Sequence, residues 1–536
     1  YGNELTGLCR PEELFRLTDC ARRVAKRYNL TIDSAMITDV PGYTWGIVPA
    51  LAHSGVKYLS AGPNHIHRIC YTLAEWGDKP FWWVSPSGEK RILCWVAGRS
   101  YSWFHRGRLG PVKGVKPDTF FEYLEELQAS GYVYDMVQLR YSIQGDNGPP
   151  DPELPEFVRR WNGRYVWPKL RIATTRELMT AFERRYGDRL PERRGDFTPY
   201  WEDGAASSAR ETALARNASE RLVQAETLWA LLNPTRFPDA HFATAWRDVI
   251  LYNEHTWGAY CSISKPDSQL TRDQWRIKQA FARDADRQSR SLLHRAAAKR
   301  RSGKTPVAAV DVYNTCSWPR DDLVILPRNL AVAGDVVQTA DGQSVPSQRL
   351  TNGRLAFLAR GVPPLGAKRF VFKPGETRPA GRANAGGRRL TTPALEIEVD
   401  AETGAIERLV WKPAGDDFAG GTQRRRLNTY HYVPSRDPQT AQELAAGVTV
   451  RVEDAGPLVA SLVVESPAPG CRKLTRRLRV VDGLPFVSLC NVVDKEPIRT
   501  PESVHFGFDV NVPGGIMRLD IPWAIIRPET DQLPGA

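Results

Sequence analysis

The sequence contains no Cys-x-x-Cys pair. Its eight cysteines, Cys9, Cys20, Cys70, Cys94, Cys261, Cys316, Cys471 and Cys490, stand far apart in 536 residues, so neither a thiolate zinc site nor a thioredoxin-type motif is indicated. At that density they read as reduced core thiols rather than a disulfide framework, which favours a reducing compartment such as the cytoplasm. No run of about 18 apolar residues occurs, so no segment is expected to span a membrane. Nothing repeats at a fixed interval, which excludes a solenoid. The chain opens on Tyr1 with neither Met nor a signal-peptide pattern, and export is left open. A net charge of +12 invites a nucleic-acid reading, yet no nucleic-acid-binding motif accompanies it. The arginines are spread along the chain, with short clusters only at Lys299-Arg300-Arg301 and Arg424-Arg425-Arg426. The basicity therefore reads as a solvated surface with some attraction to anionic polymers, and no nucleic-acid partner is expected.

What remains is an ordinary globular composition, 42% hydrophobic and 25% charged, in a chain long enough for about three domains of roughly 150 residues each. From Tyr1 to about Leu190, short apolar strands alternate with amphipathic segments. Helices are expected over Arg10 to Tyr28, Thr119 to Ser130 and Thr175 to Tyr186. Strands are expected at Ser34 to Thr38, Val56 to Ser60, Arg91 to Val96 and Val133 to Arg140. That alternation implies parallel pairing in a βα layout, either a barrel or an open sheet. Beyond Ser207, apolar residues recur at helical spacing from Leu214 to Leu232, after a capping box at Ser208-x-x-Glu211. A second helix covers Asp239 to Tyr252, and a third runs from a capping box at Thr271-x-x-Gln274 to about Ala298. Together these make a helical bundle. After a linker-like stretch at Lys299 to Pro306 the period becomes two, and turn signals such as Asp341-Gly342 and Asp482-Gly483 mark an antiparallel β-sandwich region. The expected organisation is a βα domain over 1–195, a helical bundle over 196–300 and β structure over 305–536.

Chemistry is expected where polar residues meet strand ends. Thr38-Asp39-Val40-Pro41-Gly42-Tyr43-Thr44-Trp45 follows a strand and precedes a helix, which places Asp39 at the functional end of a βα sheet. Asp39 acting only as a helix cap is the alternative. Gly145-Asp146-Asn147-Gly148 follows another expected strand and is equally a plain turn. Tyr200-Trp201-Glu202-Asp203-Gly204 combines an aromatic platform, suited to the C–H face of a sugar ring, with carboxylates. His255, in Asn253-Glu254-His255-Thr256-Trp257-Gly258, is one of nine histidines and ends a bundle helix, as a cap, a surface group or a metal ligand. Two carboxylates at neighbouring strand ends suit glycosidic bond cleavage, one attacking carbon and the other protonating the leaving oxygen.

On these residues the chain resembles glycoside hydrolase family 38, the zinc-dependent retaining α-mannosidases, in its bacterial branch, over essentially its whole length. The resemblance implies a βα barrel of seven strands, present here in part, followed by a three-helix bundle and β-sandwich domains. It implies that Asp39 is the nucleophile and a Zn2+ ligand, that His255 is a second ligand, and that Trp201 stacks on the mannose ring. Asn64, in Ala61-Gly62-Pro63-Asn64, falls where the family places a substrate-binding residue. The family often shows Gly-Asp-Asp where this chain reads Gly145-Asp146-Asn147, so the acid/base is either Asp146 or another carboxylate such as Asp203. The family's remaining zinc ligands, a His-x-Asp motif on the first strand, have no counterpart here. On that basis the chain is expected to be an internal fragment, inactive alone, of an enzyme acting on terminal α-mannosides or oligosaccharides, with a homo-oligomer left open. A metal-dependent polysaccharide deacetylase and an inactive carbohydrate-binding protein are the alternatives.

Overall fold

The computed structural model describes residues 2–64, 71–101, 112–143, 148–198, 205–255, 258–298, 308–330, 333–377, 379–420, 426–444 and 447–535. The chain divides into two units, Tyr1–Arg300 together with Ile516–Ala536, and Arg301–Gly515.

The first unit begins with α1 (Pro11–Arg16) and α2 (Asp19–Tyr28). The single helix expected here breaks at Leu17 and Thr18, and Asn29 closes α2 in the left-handed conformation, φ 51°, which Asn adopts more readily than most residues. There follow β1 (Ser34–Asp39), α3 (Ile47–His53), β2 (Tyr58–Pro63), α4 (Thr72–Trp76), β3 (Phe81–Val84), β4 (Arg91–Val96), α5 (Asp118–Ala129), α6 (Leu154–Arg164), α7 (Thr175–Tyr186) and β5 (Glu192–Arg193). The sheet runs β1-β2-β4-β3-β5. Its β1–β2 and β2–β4 pairs are parallel, as the βα alternation predicts, but β3 and β4 form an antiparallel pair. Only six residues separate β3 from β4, too few for a parallel crossover.

The sheet is open, and no closed barrel forms among the described residues. Alternate residues of β2 and β4 serve opposite faces. Leu59, Ala61, Ile92, Cys94 and Val96 pack with Val48 and Leu51 of α3, while Tyr58, Leu93 and Trp95 pack with Met179, Phe182 and Tyr186 of α7. Burial on both faces explains why Ile92-Leu93-Cys94-Trp95-Val96 reads as a continuous apolar run. The indoles of Trp83 and Trp95 are fully buried, and their N–H groups donate to Gly195 O and Asp78 Oδ1. That satisfies the polar cost of putting Trp in a core.

The strand expected over Val133 to Arg140 is absent from the sheet. Its polar side chains bond sideways instead. Gln138 accepts from Ser60 Oγ at 2.6 Å, and Arg140 donates to β1 and β2 carbonyls.

Three helices then follow, α8 (Ala209–Leu232), α9 (Asp239–Asn253) and α10 (Gln269–Ala298). The buried row Ala218, Leu222, Ala225 and Leu228 of α8 is the face the helical spacing predicts. Neither capping box forms. Ser208 Oγ bonds Ala205 O, and Glu211 turns toward Arg283. Helix α10 starts before Thr271, whose N–H is taken by Ser268 Oγ at 3.2 Å.

The second unit is antiparallel throughout its described strand pairs. A three-stranded and a four-stranded sheet share a core around Phe357, Phe370 and Phe372. An eight-stranded sheet packs Ile397, Val399 and Ile406 against Leu462, Val464 and Leu478 of a further four-stranded sheet.

The last stretch departs from the sequence reading, which placed it in the β region. Ile516–Ala536 groups with the first unit. Its hairpin, Leu519–Ile521 with Ala524–Ile526, sets Ile526 and Leu533 into the core beneath β1 and α3. Trp76 Nε1 donates to Pro534 O at 2.7 Å. A Cβ on Gly46 would lie 1.9 Å from Pro522 O. Gly46→Ala is therefore expected to destabilise the protein by about 1–3 kcal/mol, although alanine is the better helix former. A lower urea midpoint with an unchanged slope is the expected reading.

Candidate active site

The parallel register of β1 and β2 sets Asp39 opposite Pro63, so Asn64 leaves β2 beside it. Asn64 N–H donates to Asp39 O at 2.8 Å, and Asn64 Nδ2 donates to Asp39 Oδ1 at 2.7 Å. The other carboxylate oxygen, Oδ2, lies 2.7 Å from His255 Nε2, with both side chains about one-fifth exposed. Asp39 has φ +72°, a left-handed conformation that costs a residue with a Cβ about 1–2 kcal/mol. The turn that enforces it is closed by Val40 N–H on Thr38 O at 2.9 Å. Asp39 does not cap the next helix. Helix α3 starts after Gly46, and the acceptor beside its N-terminus is the buried Asp196, which takes Trp45 N–H at 2.8 Å. Burial raises the Asp196 carboxyl against the hydrogen bonds that pull it down.

His255 arrives from the other side of the unit. Helix α9 ends at Asn253, and Glu254 is already extended, with ψ 139°. The chain from Asn253 to His255 then runs antiparallel to Asn3–Leu5. Leu5 N–H donates to Asn253 O, Glu4 bridges Glu254, and His255 N–H donates to Asn3 O at 2.9 Å. The Asn3 side chain reaches across to accept Thr38 N–H at 2.8 Å.

Below the strand ends lies Arg140. Its Nη1 donates to Ile37 O at 3.1 Å, and its Nη2 to Ser60 O and Ser60 Oγ at 2.6 and 2.8 Å. Burial pushes the guanidinium down to about 10. A Cβ on Gly62 would sit 2.1 Å from Arg140 Nη1 and 2.6 Å from Tyr101 Cα, so a glycine is needed for this cation to cross from β1 to β2. Arg140, Asn3 and Asp196 escaped the sequence reading. Arg140 stands in a stretch whose alternation imitates a strand, and Asn3 and Asp196 lie where no periodic pattern marks them.

Behind His255, Glu4 and Glu13 are fully buried. Desolvation raises both carboxyls, and for Glu4 the charges of Glu13 and Glu254 add to it. Asn253 Nδ2 donates to Glu13 Oε2 at 2.7 Å, while Glu4 Oε2 has no hydrogen-bond partner among the described residues.

Of the residues singled out in the sequence, Asp39, Asn64 and His255 converge. Asp146, Trp201 and Asp203 lie outside the described residues. A carboxylate oxygen and an imidazole nitrogen facing one another are donors of the kinds zinc takes, and they would fill two of its three or four protein positions. Among the described residues no group of three or more His, Cys, Asp or Glu side chains could complete a metal site.

A pH dependence follows from the buried acids. Their carboxyls are raised in the folded state, so the native protein keeps protons that the unfolded chain releases, and stability from this source is lost as pH rises above the ordinary carboxylate range. Glu4→Gln is therefore expected to stabilise the protein at pH 8 by on the order of 1–3 kcal/mol. Thermal melts at a series of pH values should show that advantage shrinking toward pH 4.

Residues 12–203 match the family model described as "Glycosyl hydrolases family 38 N-terminal domain". No curated protein sequence matches the chain at a significant level. Among solved structures, an alpha-mannosidase from Enterococcus faecalis V583 is similar with a TM-score of 0.75 and 12% identity, over 99% of this chain and 68% of that one. A protein in glycosyl hydrolase family 38 from Enterococcus faecalis is similar with a TM-score of 0.69 and 12% identity, over 98% of this chain and 66% of that one. The chain thus spans about two thirds of the length of each, and at this identity the likeness is one of fold. No helix among the described residues is long and apolar enough to cross a membrane. The matched segment 12–203 carries Asp39 and Asn64, so both lie in the part of the chain that is similar to the glycosyl hydrolase family 38 N-terminal domain.

Proposed function

We propose that this protein hydrolyses terminal α-mannosides with retention, through a covalent mannosyl–Asp39 intermediate. The observation that carries the reading is a carboxylate at the end of β1 with one oxygen held by Asn64 and the other facing His255, inside a family 38 domain. The Asn64 hydrogen bond at one oxygen and the His255 ring at the other hold the carboxylate in one orientation, which is what attack at an anomeric carbon requires. In the first step an Asp39 oxygen bonds to C1 of the sugar, and the leaving oxygen takes a proton from the acid, assigned here to Asp146. In the second step Asp146 removes a proton from water, the water oxygen bonds to C1, and the Asp39 carboxylate departs. The Asn64 amide stabilises that departing anion, and Asn64 is also placed to meet substrate. Trp201 is assigned to stacking on the sugar ring. Zinc held by Asp39 and His255 would supply Lewis acidity toward neighbouring sugar hydroxyls when bound. Two donors hold a metal weakly, so turnover is expected only where further ligands complete the site, and little from a polypeptide without them.

In the full-length protein, an aryl α-mannoside should be hydrolysed, a chelator should abolish the activity, and zinc should restore it. Folded, zinc-loaded protein that leaves the mannoside intact would overturn the reading, and acetate release from an acetylated polysaccharide would then favour a deacetylase. A fluorinated mannosyl inhibitor should label a peptide containing Asp39. For Asp146, Asp146→Ala should slow substrates with poor leaving groups far more than activated aryl mannosides. Equal slowing of both removes Asp146 from the acid/base role.

A further inference from the structure

We infer that Asn3 is a positioning residue that sets the separation of Asp39 and His255, an inference that deepens the mannosidase reading and rests on it for its catalytic consequence. Two contacts carry it. The Asn3 side-chain oxygen accepts the N–H of Thr38, the peptide immediately before Asp39, at 2.8 Å. The Asn3 backbone carbonyl accepts the N–H of His255 at 2.9 Å. One residue therefore fixes the main chain on both sides of the 2.7 Å contact between Asp39 Oδ2 and His255 Nε2.

The need for this link follows from the fold. Among the described residues β1 is the edge strand of its sheet, and Thr38 N–H finds its partner in the Asn3 side chain. Thr38 also accepts the turn-closing N–H of Val40, and Asp39 follows at φ +72°. A strained residue keeps such a conformation only where the surrounding bonds over-determine it. Asn64 restrains Asp39 from the β2 side and Arg140 restrains Ile37 O from below, whereas Asn3 supplies the restraint shared with His255. Side-chain and backbone arms can be separated by mutation, because a substitution such as Asn3→Ala keeps the carbonyl that holds His255 and removes only the arm that holds Thr38.

Asn3→Ala deletes the side-chain acceptor, and Asn3→Asp keeps an acceptor oxygen at the same reach. In metal-free protein, the imidazole Nε2 resonance of His255, assigned by its loss in His255→Ala, reports the contact with Asp39. Asn3→Ala is expected to shift that resonance toward the value of a solvated imidazole, and Asn3→Asp to retain the wild-type position. In the zinc-loaded, full-length enzyme the same Asn3→Ala should lower kcat on the order of 10- to 100-fold, the usual effect of misplacing a reacting group by about 1 Å. KM should stay near the wild-type value and Asn3→Asp should recover most of the rate. Should Asn3→Ala fail to fold, Asn3→Gln, which carries the same groups one methylene farther out, is read in its place. A His255 resonance unchanged in Asn3→Ala, or in Asn3→Gln where that is the variant read, overturns the inference. A wild-type enzyme that turns over no α-mannoside overturns the mannosidase reading instead, and the resonance still decides the role of Asn3.

Discussion

The in-register parallel pairing of β1 with β2 is the constraint on which the candidate site depends. It aligns Asp39 with Pro63, so that the residue after each strand end can bond across the gap, and Asn64 does so twice. A slip of one residue would turn Asp39 to the opposite face of the sheet. What prevents the slip is burial, because Ile37, Leu59 and Ala61 occupy one core with α3 and have no comparable place on the other side. The geometry of a polar pair is thus set by apolar residues that never touch it.

Much of this was legible in the sequence. The apolar run before Asp39, the helix after it and the next strand are read from periodicity, and the helix ends at His53 shortly before Gly55, which takes φ +84°. Asn64 is singled out only through the resemblance, and its contact with Asp39 comes from the strand register. What periodicity cannot show is where an unpaired segment lies. Val133 to Arg140 alternates like a strand, but its alternate residues include Gln138 and Arg140, whose hydrogen bonds go to Ser60 and Ile37 rather than to a ladder. The capping box at Ser208 failed for a related reason: Ser208 Oγ bonds the preceding turn at Ala205 O, and Glu211 turns to Arg283 on another helix. The return of Leu519–Ile526 to the first unit carries no local signal at all, since a short hairpin with apolar residues reads alike wherever it docks.

Charge is handled differently on the surface and in the interior. Exposed arginines pair with acids on the same helix, as in Arg290 with Asp286, and such pairs contribute little to stability. Arg140 is held instead by carbonyl and hydroxyl oxygens at its two terminal nitrogens, with its ionised form destabilised by burial. A buried cation bound by carbonyls ties strands together without adding a carboxylate that would compete for His255 or for a metal. Glu4 and Glu13 answer the same problem from the acid side, since carboxyls pushed upward by burial are kept neutral over a wider pH range.

The loop that follows Asp39 argues against movement of its carboxylate. Val40, Tyr43, Trp45, Ile47 and Val48 are buried, and the loop is bonded to three separate stretches of chain and packed against a fourth. Thr44 N–H donates to Thr6 Oγ1, Tyr43 exchanges backbone bonds with Phe197, Trp45 Nε1 donates to Val84 O, and Gly46 lies against Pro522. To shift Asp39 by an ångström, contacts from Thr6, Val84, Phe197 and Pro522 would have to give together, and dense interiors yield in discrete steps rather than gradually. A carboxylate held this firmly is pre-organised, so the energy of orienting it is met during folding and not at each encounter with substrate. Any conformational change that accompanies binding is therefore expected in the segments that approach Asp39 from outside this loop, and Asp39 itself is the fixed point against which they move.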